Sequence, residues 1–190
     1  VVFKSRMDRA AGKPSAADRA SDQRQLFLDL AGAESVAAAA KTVTQRLPDE
    51  LQTCRMAIGL IASNGDCDLL AITGRKQISQ NSDQTRAVEA AFDETILANQ
   101  SLSYARQQQS GPCAKTLGRL VNITGSQWAV SMLLRDPEGL VIGVALLWSK
   151  QDDLAVTAAS WLEEMHESIG AMLQLVSRAR RGVRQCLADH

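Results

Sequence analysis

AVEAAFDETILANQSLSY, from Ala87 to Tyr104, is the stretch on which the reading of this chain turns. Val88, Phe92 and Ile96 recur every fourth residue, so on a helix they form one apolar stripe with a polar face opposite. The pattern then becomes short and extended at Leu102 to Tyr104. Strand-like segments lie on both sides of this helix and its crossing segment. That order predicts an α+β domain, an antiparallel sheet with helices packed on it.

Toward the N-terminus, Arg55 to Ile61 alternates with period two: Met56, Ile58 and Leu60 fall on one face, small Ala57 and Gly59 on the other. Asn64-Gly65 supplies a hairpin turn, and Cys67 to Thr73 is the returning strand. Toward the C-terminus, Trp128 to Arg135 and Leu140 to Trp148 flank Asp136-Pro137-Glu138-Gly139, whose proline and glycine mark a tight turn. Between Ser101 and Thr124 the reading is a short strand, a Gln-rich polar loop, a helical turn near Ala114 to Leu117 and another short extended segment. Irregular stretches of this kind inside a compact domain often border a ligand site.

The ends read as helices. Ser5 to Arg24, rich in Ala, Ser, Asp and Arg and containing Gly12 and Pro14, has too little apolar material for a core. Residues 1–24 are therefore set apart as a linker or frayed helical lead-in, 25–178 as the domain, and 179–190 as a basic extension. Gln25 to Leu30 is apolar enough to dock, and Ala33 to Leu47 places Val36, Ala40, Val43 and Leu47 on one helical face before Pro48 stops it. The last helix, from Asp152 to about Arg180, carries Ala158, Leu162, Met165, Ile169, Met172 and Val176 at alternating four- and three-residue steps, with Leu154, Trp161 and Leu173 beside them. Such a stripe is broad enough to cover the sheet and to meet a second copy, with Leu162, Met165, Ile169, Met172 and Val176 as the candidate dimer seam. A helix packed only on its own domain is the competing reading, because fewer than about four heptads are present.

Composition limits the function classes. A chain of 190 residues suits one domain with helical extensions. With 21 basic and 21 acidic side chains, no global field favours nucleic acid or an anionic membrane. Cys54, Cys67, Cys113 and Cys186 are far apart and the histidines are His166 and His190, so no metal or other cofactor is expected. The scattered thiols fit a reducing cytoplasmic compartment, although an even count leaves disulfides open. No apolar run approaches the roughly 20 residues that cross a bilayer and no charged-then-apolar leader opens the chain, so the piece as given reads as soluble. It begins with Val1, which fits a processed or excised part of a longer protein. No glycine-rich phosphate loop or nucleophile elbow occurs, and histidine is too scarce for a Ser-His-Asp arrangement, which disfavours hydrolysis. Asn122-Ile123-Thr124 matches a glycosylation sequon but reads as loop chemistry.

The order helix, hairpin, helix, crossing segment, hairpin, long helix resembles a GAF domain, over roughly Gln25 to Val176. CRMAIGLIASNGDCDLLAITG from Cys54 to Gly74, the AVEAAFDETILANQSLSY stretch and MLLRDPEGLVIGVALLWSK from Met132 to Lys150 look like the cytoplasmic GAF module of some bacterial periplasmic adaptor, or membrane-fusion, proteins of secretion and efflux systems. That resemblance implies a membrane span and an adaptor body following His190 in a parent protein. The basic run Arg178, Arg180, Arg181 and Arg184 fits the cytoplasmic side of a span, and equally fits the negative end of the last helix.

Against the activities of the family that this chain resembles, several residues depart. Cyclic-nucleotide-binding GAF domains carry an Asn-Lys-Phe motif followed after three residues by Asp-Glu; here Phe92 is followed directly by Asp93-Glu94, which reads as a solvated face. Bilin attachment would need a histidine near Cys113, and sulfoxide reduction a second cysteine in the crossing segment; Cys67 could join Cys113 only through folding. The expectation is therefore a non-enzymatic sensory and dimerisation module, homodimeric, with a small-molecule pocket between the sheet and the central helix lined by Phe92, Tyr104 and Trp128. All three as filled core positions is the competing reading. The alternatives are a structural dimerisation domain with a closed pocket and, further off, a reductase using Cys113 with Cys67.

Overall fold

The computed structural model describes residues 16–107 and 114–188, with side chains described over 24–107 and 114–179. Helices α1 (Ala16–Ala31) and α2 (Val36–Gln45) lead into the hairpin β1 (Arg55–Ile61) and β2 (Cys67–Ile72). Helix α3 (Asp83–Ala98) and strand β3 (Leu102–Ala105) follow, then α4 (Lys115–Thr124), the hairpin β4 (Trp128–Arg135) and β5 (Val141–Ser149), and α5 (Ala155–Ala188). The five strands form one antiparallel sheet in the order β2-β1-β5-β4-β3. Helix α1 begins at Ala16, inside the stretch read as lead-in, and docks through buried Leu26 and Leu30.

Period-two alternation sorts the sheet's side chains into two cores. Met56 and Ile58 of β1, Val130, Met132 and Leu134 of β4, and Ala145 and Leu147 of β5 face α1, α2 and α5. Ala57, Ala129, Leu133, Val144, Leu146 and Trp148 face α3 and α4. The central strands β4 and β5 are buried on both faces, so burial itself runs unbroken along β4 from Trp128 to Leu134 and the alternation survives in which helices each residue meets.

Local signals start and stop the helices that flank the second core. The Ser82 hydroxyl accepts from the Thr85 amide at 3.1 Å and starts α3, and Asn99 ends it in the left-handed region at φ 48°. Helix α4 differs from the sequence reading, which placed only a turn near Ala114 and an extended segment after it. Val121, Ile123 and Thr124 are β-branched and locally favour a strand, but Leu117, Leu120 and Val121 form a helical stripe buried against the sheet.

The turn between β4 and β5 is fastened to α5. The Asp136 carboxylate accepts from the amides of Glu138 and Leu140 at 3.0 and 2.8 Å and from the Gln174 side-chain amide at 2.8 Å. Gly170 of α5 lies against the backbone of Arg135, where an added Cβ would meet the carbonyl oxygen head-on. The Arg135 guanidinium donates to the Gly139 carbonyl at 2.9 Å and to the Asn99 side chain at 3.3 Å, joining the end of α3 to the same turn.

Candidate functional site

The space between the sheet and α3 is filled with side chains. Phe92 is fully buried, and its ring lies directly over Gly59, where an added Cβ would come within 2.5 Å of it and 2.8 Å of the Cys67 sulfur. Half-buried Tyr104 lies on the same face against Gly118 of α4, 3.0 Å from where a Cβ would stand. Trp128 is elsewhere. It belongs to the core under α5, and its indole N–H donates to the Gln151 carbonyl at 2.6 Å. The register explains the separation: Tyr104 pairs with Ala129, so Trp128, one residue earlier on β4, points through the opposite face. Phe92 and Tyr104 thus share a layer that Trp128 does not, and the tryptophan of that layer is Trp148.

Trp148 stands at the wall of a cleft of about 490 Å³ at the end of the sheet, within the size range of small-molecule sites. Thr53 and Arg55 come from the start of β1, Gln84 from the first turn of α3, Ile123, Thr124 and Ser126 from the end of α4, and Ser149, Lys150 and Gln151 from the end of β5. Gly125, at φ 66°, lets the chain reverse after α4, and the Ser126 amide then donates back to the Val121 carbonyl at 3.0 Å. The Thr124 and Ser126 hydroxyls meet at 2.7 Å, and Thr53 donates to Gln151 at 2.7 Å. Arg55 and Lys150 line the cleft, and among the described residues no carboxylate does.

Acidic groups gather at the other end of α3. Burial pushes the Cys67 thiol up to about 12, and the nearby Asp93, Asp68 and Glu89 carboxylates push the same way. Burial, then Asp93 and Asp68, raises Glu89; burial, then Asp66, raises Asp93. Glu94 is not part of a solvated face. It reaches α4, whose N-terminus has no cap of its own, and accepts from the Lys115 and Thr116 amides at 3.2 and 3.0 Å and from the Thr116 hydroxyl. Cys54 is buried in the core on the opposite side of the sheet from Cys67, and both are free thiols. Cys113 lies outside the described residues, as do the side chains of Arg180, Arg181, Arg184 and Cys186. Among the described residues no cluster of His, Cys, Asp and Glu could hold a metal ion, and no helix is long and apolar enough to cross a membrane.

Of the candidate dimer residues, Leu162, Met165, Ile169 and Val176 are buried in the chain's own core, and Met172 is partly buried against it. The stripe is used to cover the sheet, since α5 lies against β4 and β5 with α2 beside it. Among the described residues of α1 and α5, the large apolar side chains left exposed are Leu28, Val156 and Leu175.

No protein-family model matches the sequence, and no curated protein matches it. Solved structures do match. The GAF domain of an Acinetobacter phosphoenolpyruvate-protein phosphotransferase is 11% identical, with a TM-score of 0.58 over 86% of this chain and 97% of that one. A domain of a putative two-component sensor histidine kinase from Sinorhizobium meliloti is 17% identical, with a TM-score of 0.52 over 79% of this chain and 95% of that one. A free methionine-R-sulfoxide reductase from Neisseria meningitidis, solved with its substrate, is 13% identical, with a TM-score of 0.58 over 89% and 96%. At such identities the likeness is one of fold, and by that measure this chain has the GAF fold.

Proposed function

We propose that the chain is a non-catalytic GAF-type sensing module in which occupancy of the end-of-sheet cleft acts on helix α5. The observation that carries the reading is continuity: Lys150 and Gln151 form one wall of the cleft, and α5 begins at Ala155 after a single 3₁₀ turn at Asp152–Leu154. Trp128 holds this segment through Gln151, so a shift of that wall bears on the root of α5 and on the core beneath it. The sensor-kinase domain among the similar structures supports a signalling role by analogy of fold.

Two features speak against the cysteine reductase. A thiol at about 12 and buried under Phe92 is a poor source of thiolate, and Cys54 is on the far side of the sheet. The cytosolic adaptor setting of a secretion or efflux system rests on the resemblance of the three quoted stretches alone.

The test is a thermal-shift screen against cytosolic metabolites, followed by hydrogen exchange. A binder stabilises by about 2.7 kcal/mol at a hundredfold excess over Kd and slows exchange at 150–160. A second reading is favoured by the filled space at Phe92 and by exposed Leu28 and Leu175, namely a structural dimerisation domain. No stabilising compound, together with a dimer by light scattering that Leu175→Lys dissociates, decides for it.

A further inference from the structure

We infer that the end-of-sheet cleft takes a small organic oxyanion, a phosphate monoester or carboxylate with an apolar portion, held by Arg55 and Lys150. The inference rests on the sensing reading and adds the chemistry of the ligand. Arg55 and Lys150 both line the cleft, and among the described residues neither has a carboxylate partner. The Arg55 guanidinium gives one N–H to the Thr73 carbonyl at 3.3 Å, which fixes its stem and leaves donors for a ligand.

Two cations lining one concave site, with no lining acid among the described residues, would attract an anion. The Gln84 side-chain amide, whose oxygen accepts from Arg75, keeps its N–H groups for oxyanion oxygens, whereas the Thr53 and Thr124 hydroxyls already donate to Gln151 and to the Leu120 carbonyl. The apolar part follows from Ile123, a large side chain 41% exposed beside polar groups, with the buried Trp148 behind it closing the wall. An apolar group laid against Ile123 would exclude water from the charged contacts and strengthen them.

Four separate segments build this cleft, and Trp148 is the residue it shares with the layer between Phe92 and the sheet. Arg55 also pairs in register with Trp148, so the cationic and aromatic groups are neighbours on one face of β1 and β5.

The test is titration calorimetry of the whole chain with phenyl phosphate, benzoate, inorganic phosphate and benzyl alcohol, with amide chemical shifts to place the site. Phenyl phosphate or benzoate is expected to bind more tightly than inorganic phosphate, benzyl alcohol not to bind, and shifts to appear at 124–126 and 148–151. Lys150→Gln and Arg55→Gln should each weaken binding about tenfold, the scale of one charge-assisted hydrogen bond, and Lys115→Gln, at the far end of α4, should leave it unchanged. Lys150 is exposed and makes no ion pair among the described residues, so its variant folds even if Arg55→Gln does not. Absence of binding by both aromatic anions, or binding unaltered in Lys150→Gln, overturns the inference. A metabolite that stabilises the native chain and the Lys150→Gln variant alike would leave the sensing reading standing without it.

Discussion

Gly170→Ala separates two physical effects of opposite sign. In a helix interior alanine is favoured over glycine by about 1 kcal/mol, so propensity alone predicts a more stable protein. Packing predicts the reverse. The new methyl group would stand on the Arg135 carbonyl oxygen and 3.0 Å from the carbonyl carbon and amide nitrogen, and a backbone cannot swing aside as a side chain can. Relief requires α5 to withdraw by roughly 0.5–1 Å, which forfeits a quarter to a half of each dispersion contact it opens. Ile169 and Leu173, both fully buried on either side of Gly170, lose most. Overpacking of this kind costs about 1–3 kcal/mol, so after a propensity gain of about 1 kcal/mol the variant should be destabilised by about 0–2 kcal/mol. For a domain of this length that lowers Tm by up to roughly 8 °C, where propensity alone would raise it by roughly 2–4 °C, read by circular dichroism and checked by urea unfolding. Gly32→Ala is the control, because its Cβ would meet only backbone oxygens of Leu28 and Asp29 at 3.7 Å. A Gly170→Ala protein more stable than the native chain by about 1 kcal/mol, the full propensity gain, refutes the close approach of α5 to Arg135.

Other substitutions probe the α3 face. Glu94→Ala removes the acceptor for the Lys115 and Thr116 amides and should cost about 1 kcal/mol, with faster hydrogen exchange confined to the start of α4; unchanged exchange there would rule out the cap. Glu89 is raised above its ordinary value of 4.5, so its carboxyl favours the fold below that value and the contribution is lost as pH rises through the folded pKa. Glu89→Gln should therefore raise Tm at about pH 7.5 and leave it unaltered at about pH 3.5, and an equal effect at both would contradict the shift. Cys67, buried and pushed up to about 12, should resist iodoacetamide at about pH 8 until the protein unfolds, as followed by peptide mass mapping. Rapid native-state alkylation of Cys67 would count against its packing under Phe92.

The hairpins were legible because alternation is a local property. Met56 and Ile58 share a core as their spacing requires, and Asn64-Gly65 and Asp136-Pro137-Glu138-Gly139 make turns between paired strands. What alternation does not say is which helices cover which face. That depends on register between strands far apart in the chain, and it is why Trp128, a plausible companion for Phe92, lies under α5 while Trp148 takes the α3 side. Helix α4 was hidden for a related reason. Its β-branched end favours a strand locally, while its N-terminus is capped by Glu94, 21 residues earlier than Lys115. The cleft has no motif at all, since Thr53, Gln84, Thr124 and Lys150 become neighbours only in the folded sheet.

The glycine contact on α5 also sets how the helix could move. With no side chain at Gly170, the helix rests on the β4–β5 turn at a fulcrum: Ala155 lies about 22 Å to one side and Ala188 about 27 Å to the other, at 1.5 Å per residue. A helix balanced so near its middle is a seesaw, not an amplifier. A displacement of about 1 Å at Ala155 would arrive at Ala188 as about 1.2 Å in the opposite sense, so tilting of α5 would report the cleft with its sign reversed and its size nearly preserved.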